Sequence, residues 1–166
     1  MSQSASLQLA LQLEQDGYDH YMKFASQTDN PLAKSLLTTL AEQELQHKAM
    51  VEKIYHGEVP SEAIDPNEVE GKLKDVFESF TQEERSDWTS DNMEIYEKAM
   101  ELEKAAYQLY EELAGKTESP EEKKFFEDLM VQESKHLESI INVYYYLSDP
   151  KDWLSHDEST RWNWMV

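Results

Sequence analysis

Two Glu-x-x-His pairs, Glu44 with His47 and Glu133 with His136, and two single glutamates, Glu14 and Glu103, are the residues of this sequence best suited to chemistry. All six fall on stripes of otherwise apolar residues recurring every three or four positions, the pattern of a helix face turned toward a core. A charge on such a stripe must be paired, metal-bound or neutralised, because desolvating it costs several kcal/mol. Four carboxylates and two imidazoles do not balance one another. Two divalent cations would bring the four negative charges close to neutrality, which is the physical case for a dinuclear site. The Glu and His of each pair stand about one turn apart on one side of a helix, so Glu44 with His47 and Glu133 with His136 can address one metal pair, with Glu14 and Glu103 adding one carboxylate each.

Those six residues require four helices to carry them. The first stripe is Leu7, Leu11, Glu14, Tyr18, Tyr21 and Ala25, on a helix expected to end near Gln27. Asn30-Pro31 offers a cap and a first helical position for the second, whose stripe is Leu37, Leu40, Glu44, His47, Val51 and Ile54, with Gly57 as the stop. The third reads Tyr96, Met100, Glu103, Tyr107, Tyr110 and Ala114, and the fourth Phe126, Leu129, Glu133, His136, Ile140, Val143 and Leu147. A constant offset of 89 residues carries Glu14 onto Glu103, Tyr21 onto Tyr110, Pro31 onto Pro120, Glu44 onto Glu133 and His47 onto His136 without a gap. The chain is thus a duplicated helical hairpin, and its halves should meet around an approximate two-fold axis. Expected boundaries are hairpin 5–56, crossover 57–90 with a short helix around Val69 to Phe80, hairpin 91–147, and a Trp-rich tail over 148–166. Two short-looped pairs joined by one long crossover form an all-α, ferritin-like four-helix bundle.

Composition narrows the function classes. Fifteen Lys and Arg against 35 Asp and Glu give a net charge of −20, so nucleic acid and anionic membrane surfaces are not expected partners. The sequence has no cysteine, which excludes disulfides, thiolate chemistry and cysteine-held iron–sulfur clusters. No signal-peptide pattern and no long apolar run are found, and the expected location is the cytoplasm.

One Glu from each of two helices and Glu-x-x-His from each of the other two is the ligand set of ferritin-like di-iron and di-manganese carboxylate proteins. In detail, residues 13–21 (LEQDGYDHY) with 102–110 (LEKAAYQLY), and 43–47 (QELQH) with 132–136 (QESKH), resemble the rubrerythrin family. The resemblance covers roughly residues 5–147 and implies two iron ions cycling between ferrous and ferric, with hydrogen peroxide as substrate; manganese or zinc are alternative metals. It also implies that Tyr21 and Tyr110, two turns beyond the single glutamates, hydrogen-bond ligand carboxylates from the facing helix. Homodimers are common among such relatives, and a homodimer is expected here. Rubrerythrins usually carry a rubredoxin domain with four cysteines, which this cysteine-free sequence lacks, so the electron donor is expected to be a separate molecule such as a rubredoxin. Many also carry an extra carboxylate one turn after the second single glutamate, where this sequence has Ala106, mirrored by Gly17. That departure leaves dioxygen chemistry, ferroxidase activity and iron sequestration open beside peroxide reduction.

The remaining candidates read as structural. Tyr18, Tyr55, Tyr107 and Tyr144 fit amphipathic core or interface positions. His20 turns away from the Glu14 face and reads as a surface residue, and His56 and His156 stand alone. The acidic crossover reads as a solvated connection. Trp153, Trp162 and Trp164 make the tail too apolar to be left in water, so it should dock on the bundle or on a second subunit. A metal-free structural bundle is the third possibility, and it would have to protonate its buried glutamates.

Overall fold

Each apolar stripe becomes a helix whose ends are set by local capping. The computed structural model describes residues 2–61, 64–89, 92–148, 150, 162, 164 and 165, and among these there is no strand. Helix α1 (Gln3–Ala25) starts at Ser2, whose hydroxyl accepts from the Ala5 amide at 3.1 Å, and it stops slightly short of Gln27. Helix α2 (Pro31–Tyr55) is capped by Asn30, whose Oδ1 accepts from the Ala33 amide at 2.9 Å. Pro31 occupies the first turn, where a missing N–H costs nothing. Beyond α2 the chain turns at Gly57, with φ +85°, a left-handed conformation that glycine adopts without strain.

The crossover contains two helices, α3 (Glu68–Glu78) and α4 (Gln82–Ser86), and the second hairpin is α5 (Glu94–Lys116) with α6 (Pro120–Ser148). α1 packs on α2 and α5 on α6 within the hairpins, while α1 against α5 and α2 against α6 join the halves. This is a ferritin-like bundle.

Two apolar clusters fill its interior. One contains Tyr21, Leu36, Leu40, Tyr96, Ala99, Ile140 and Val143; the other contains Leu7, Ala10, Val51, Ile54, Leu109, Leu113, Phe126 and Leu129. Every long helix passes from one cluster to the other, and in each the change falls at a glutamate: Glu14, Glu44, Glu103 and Glu133. The polar band thus lies between two dry layers, held at one depth by four helices.

The crossover departs from the reading as a solvated connection. Val69, Leu73 and Phe77 of α3 are buried in the first cluster, against α2 and α6. α4 starts with a capping box, Thr81 with Glu84, a legible signal that the sequence reading passed over. Its Arg85 turns back on α3, donating to the carbonyls of Phe77 at 3.1 Å and Phe80 at 2.5 Å, with the guanidinium 4.0 Å from the Phe77 ring centroid. The helix expected around Val69 to Phe80 is α3, and α4 is a second, unexpected one tied back to it by the buried Arg85.

Two tail tryptophans sit on the bundle. Trp162 donates from its amide to Asn142 Oδ1 at 3.0 Å and from Nε1 to Glu138 Oε1 at 2.8 Å, and Trp164 Nε1 donates to Glu70 Oε1 at 3.1 Å. Trp153 and His156 lie outside the described residues. His20 is half-buried rather than superficial: its ring stacks edge-on to Phe24 and Nε2 lies 3.1 Å from the Ile95 carbonyl, away from the polar band. Burial holds its pKa below the usual histidine value.

Candidate metal centre

Between the two apolar layers the structure brings together all six residues singled out in the sequence: Glu14 from α1, Glu44 and His47 from α2, Glu103 from α5, and Glu133 and His136 from α6. Each is buried. They form two groups, Glu14, Glu44, His47 and Glu133, and Glu44, Glu103, Glu133 and His136, in which one oxygen or nitrogen of each residue lies within 4.8 Å of the others. Glu44 and Glu133 belong to both groups and can bridge them. The two imidazoles face each other, 5.4 Å between centroids and 8° from parallel, across the approximate two-fold axis of the repeat.

The tyrosines complete the symmetry crosswise. Tyr21 of the first hairpin donates to Glu103 Oε1 at 2.6 Å, and Tyr110 of the second donates to Glu14 Oε1 at 2.5 Å. Burial first, and then the facing carboxylate, push both phenols well above their ordinary pKa, so they stay protonated and remain donors. Tyr18, Tyr107 and Tyr144 are partly buried, and Tyr55 is exposed with its hydroxyl accepting from Gln8 at 2.9 Å.

Without metal the four carboxyls divide by position in the repeat. Burial pushes Glu44 well above the usual carboxylate range, and the charges of Glu14, Glu103 and Glu133 add to the shift. Glu133 moves the same way, through burial and then through Glu103 and Glu14. Burial would raise Glu103 too, but the neighbouring His136, together with Glu133 and the Tyr21 hydroxyl, holds it down at about 2. Glu14 is lowered against burial by a hydrogen bond from Glu44, the neighbouring His47 and the Tyr110 hydroxyl. Without metal, burial and mutual repulsion thus favour the neutral form of Glu44 and Glu133, and the neighbouring donors favour the anionic form of Glu14 and Glu103.

The donor set fits metal ions. Glu14 Oε2, Glu44 Oε1, Glu103 Oε2, Glu133 Oε2 and His136 Nδ1 are buried with no hydrogen-bond partner. His136 Nδ1 stands 3.3 Å from Glu103 Oε1 and 3.5 Å from Glu44 Oε1, and His47 Nδ1 stands 3.0 Å from Glu133 Oε1 and 3.6 Å from Glu14 Oε2. Buried acceptors left in such numbers call for cations, and mixed carboxylate and imidazole donors suit iron, manganese or zinc.

The sequence model of the Rubrerythrin family matches residues 6–144, most of the chain and all of these side chains. This chain belongs to the rubrerythrin family. No curated protein and no solved structure matches it. Family membership and the buried Glu and His cluster together suit a di-iron protein.

Two further features of this rubrerythrin bear on access and shape. A cleft of about 210 Å³ opens between α5 and α6, lined by Lys104, Tyr107, Gln108, Ser134 and Leu137, and it reaches Glu103 and Glu133. The equivalent positions on the first hairpin are Gln15, Tyr18, Asp19, Leu45 and Lys48. There Lys48 Nζ donates to Gln15 Oε1 at 2.8 Å and Gln15 Nε2 donates to Asp19 Oδ1 at 2.9 Å, a polar lattice across the same face. Gly17 lets α1 pass close to Glu44: a Cβ there would lie 3.1 Å from Glu44 Oε2. Neither cleft nor lattice was signalled by the sequence, because both depend on how side-chain lengths on two helices combine. Among the described residues, no helix is long and apolar enough to cross a membrane.

Proposed function

We propose that this protein reduces hydrogen peroxide at a di-iron site held by Glu14, Glu44, His47, Glu103, Glu133 and His136, with electrons restored by a separate donor such as a rubredoxin. The observation that carries the reading is the convergence of six buried ligand-type residues, with an oxygen of each glutamate and Nδ1 of His136 unpartnered, beside a small cleft that reaches Glu103 and Glu133. Peroxide reduction breaks one O–O bond and consumes two electrons and two protons, yielding two waters. Two bound irons passing from ferrous to ferric would supply those electrons.

The chain's own residues set the conditions. Glu44 and Glu133, which belong to both groups of donors, would hold the metal ions with the other four residues, and binding would favour their ionised form. Tyr21 and Tyr110 hold Oε1 of Glu103 and Glu14, which fixes each carboxylate plane and leaves Oε2 free to bind. Their Oη–H groups remain protonated and donating. The two apolar layers exclude bulk water, and the α5–α6 cleft is the route by which peroxide arrives.

A ferroxidase is the second reading. It is favoured by one observation: Ala106, buried one turn after Glu103, offers no additional carboxylate. The two are separated by loading the protein anaerobically with ferrous iron and following absorbance in stopped flow on mixing with peroxide or with dioxygen. Two irons oxidised per peroxide, faster than by dioxygen, is the result expected; faster oxidation by dioxygen overturns the peroxidase reading in favour of the ferroxidase.

A further inference from the structure

A glutamine precedes the glutamate of each Glu-x-x-His pair, Gln43 and Gln132, and both are buried. A buried primary amide needs an acceptor for its NH2 and a donor for its oxygen. Gln43 has both: Nε2 donates to Glu68 Oε2 of α3 at 3.1 Å, and Oε1 is hydrogen-bonded to Nε2 of His136, the ring nitrogen facing away from the carboxylates. Gln132 has only the first. Its Nε2 donates to the crossover carbonyl of Ile64 at 2.7 Å, while its Oε1 is buried without a partner. So is Nε2 of His47, the atom that the repeat pairs with it.

We propose that Gln43 and Gln132 are the positioning residues of His136 and His47, each anchored in turn by the crossover. The inference rests on the reading of both histidines as metal ligands. An imidazole that binds metal through Nδ1 carries its proton on Nε2 and needs an acceptor there, and a glutamine carbonyl held in place supplies one. One tautomer of His47 accounts for the difference between the halves. His47 Nδ1 lies within hydrogen-bond distance of Glu133 Oε1, and with its proton on that side the ring presents a lone pair at Nε2, which a carbonyl oxygen does not satisfy. With Nδ1 given to a metal the proton resides on Nε2, and the Gln132 carbonyl becomes its acceptor. The crossover thereby does more than connect hairpins: Glu68 and Ile64 reach the centre through one amide each.

The test is calorimetric titration with zinc of the natural chain and of the Gln43→Leu, Gln132→Leu and Glu68→Ala variants, paired with nitrogen-15 NMR of the zinc-loaded imidazoles. The natural chain is expected to bind two zinc ions and to show two hydrogen-bonded Nε2–H signals. Each Leu variant should keep its helical circular dichroism, lose one of those signals and weaken one zinc by about 10- to 100-fold. Glu68→Ala, on the partly exposed surface of α3, should weaken the His136 signal and have no further effect once Gln43 is Leu. Two zinc ions bound with unchanged affinity and both signals intact in the Leu variants would overturn the proposal while leaving the two-metal reading standing. If a Leu variant fails to fold, an unchanged His136 signal in Glu68→Ala overturns the crossover anchor. No zinc binding by the natural chain would overturn both.

Discussion

The two hairpins carry the same acid and imidazole residues at the same offset, yet their outer faces differ. At the cluster the tyrosine contacts repeat, with the Tyr21 and Tyr110 hydroxyls crossing to Glu103 and Glu14 and the imidazoles stacked on each other, and the departures are confined to the hydrogen bonds of the two imidazoles. Outside it, Ser134 and Leu137 border a cleft on the second hairpin, while Leu45 and Lys48 occupy those positions on the first and Lys48 is tied to Gln15. Duplication constrains what must meet at the axis, because each copy there supplies half of one site. Away from the axis the copies are free to diverge, and one face has become the opening.

The strongest way to break the comparison is to remove ligands from one half at a time. Glu133→Ala and His136→Ala should each abolish tight binding of at least one divalent ion, with affinity falling more than about 100-fold, and Glu44→Ala and His47→Ala should do the same. His20→Ala, altered outside the cluster, should bind as the natural chain does. Equal retention of metal across all five, measured by calorimetry, would remove the assignment.

Next in size is the dependence of stability on pH. Glu44 and Glu133 have folded pKa values above the ordinary 4.5, so above pH 4.5 the unfolded chain binds fewer protons than the folded one. The stability of the metal-free protein should therefore fall as pH rises from 4.5 through those folded values. Glu103, held at about 2, contributes with the opposite sign, adding stability as pH rises from about 2 to 4.5. Divalent metal at about 100 times its dissociation constant should restore roughly 2.7 kcal/mol per site, most visibly at the alkaline end. Denaturation by urea across this range, with and without metal, would reveal a flat metal-free profile if the carboxyl assignments are wrong.

Smaller effects sharpen the difference between the faces. Ser134→Trp should slow oxidation of ferrous-loaded protein by peroxide, whereas Leu45→Trp on the bridged face should leave the rate unchanged; equal slowing in stopped flow would mean the cleft is not the route. The smallest effect is expected at Gly17. Replacing it by alanine gains up to about 1 kcal/mol of helix propensity but forces Glu44 to shift by a few tenths of an ångström. Metal affinity should drop while the metal-free protein becomes no less stable, and the reciprocal Ala106→Gly should lose stability instead.

How much of this was legible in the sequence follows from where the information lies. The stripes, the offset of 89 and the Asn30-Pro31 and Gly57 signals make the four long helices readable, since amphipathic period and caps are local. The six polar residues stand out because charge on an apolar stripe is costly. The crossover was harder. Val69, Leu73 and Phe77 are spaced as a helix face, but their burial depends on a groove between α2 and α6 that no local pattern describes. Thr81 and Glu84 did announce α4. The amide contacts of Gln43 and Gln132 depend on residues of the crossover docked across the fold, and an isolated glutamine beside a glutamate carries no signal of them.

Anaerobic titration with iron-57 as ferrous ion, followed by Mössbauer spectroscopy after one equivalent of peroxide, tests the central claim most directly. Two irons bound per chain and recovered as a single magnetically coupled ferric pair is the predicted result. Fewer than two bound irons, or two that remain magnetically independent, would contradict it.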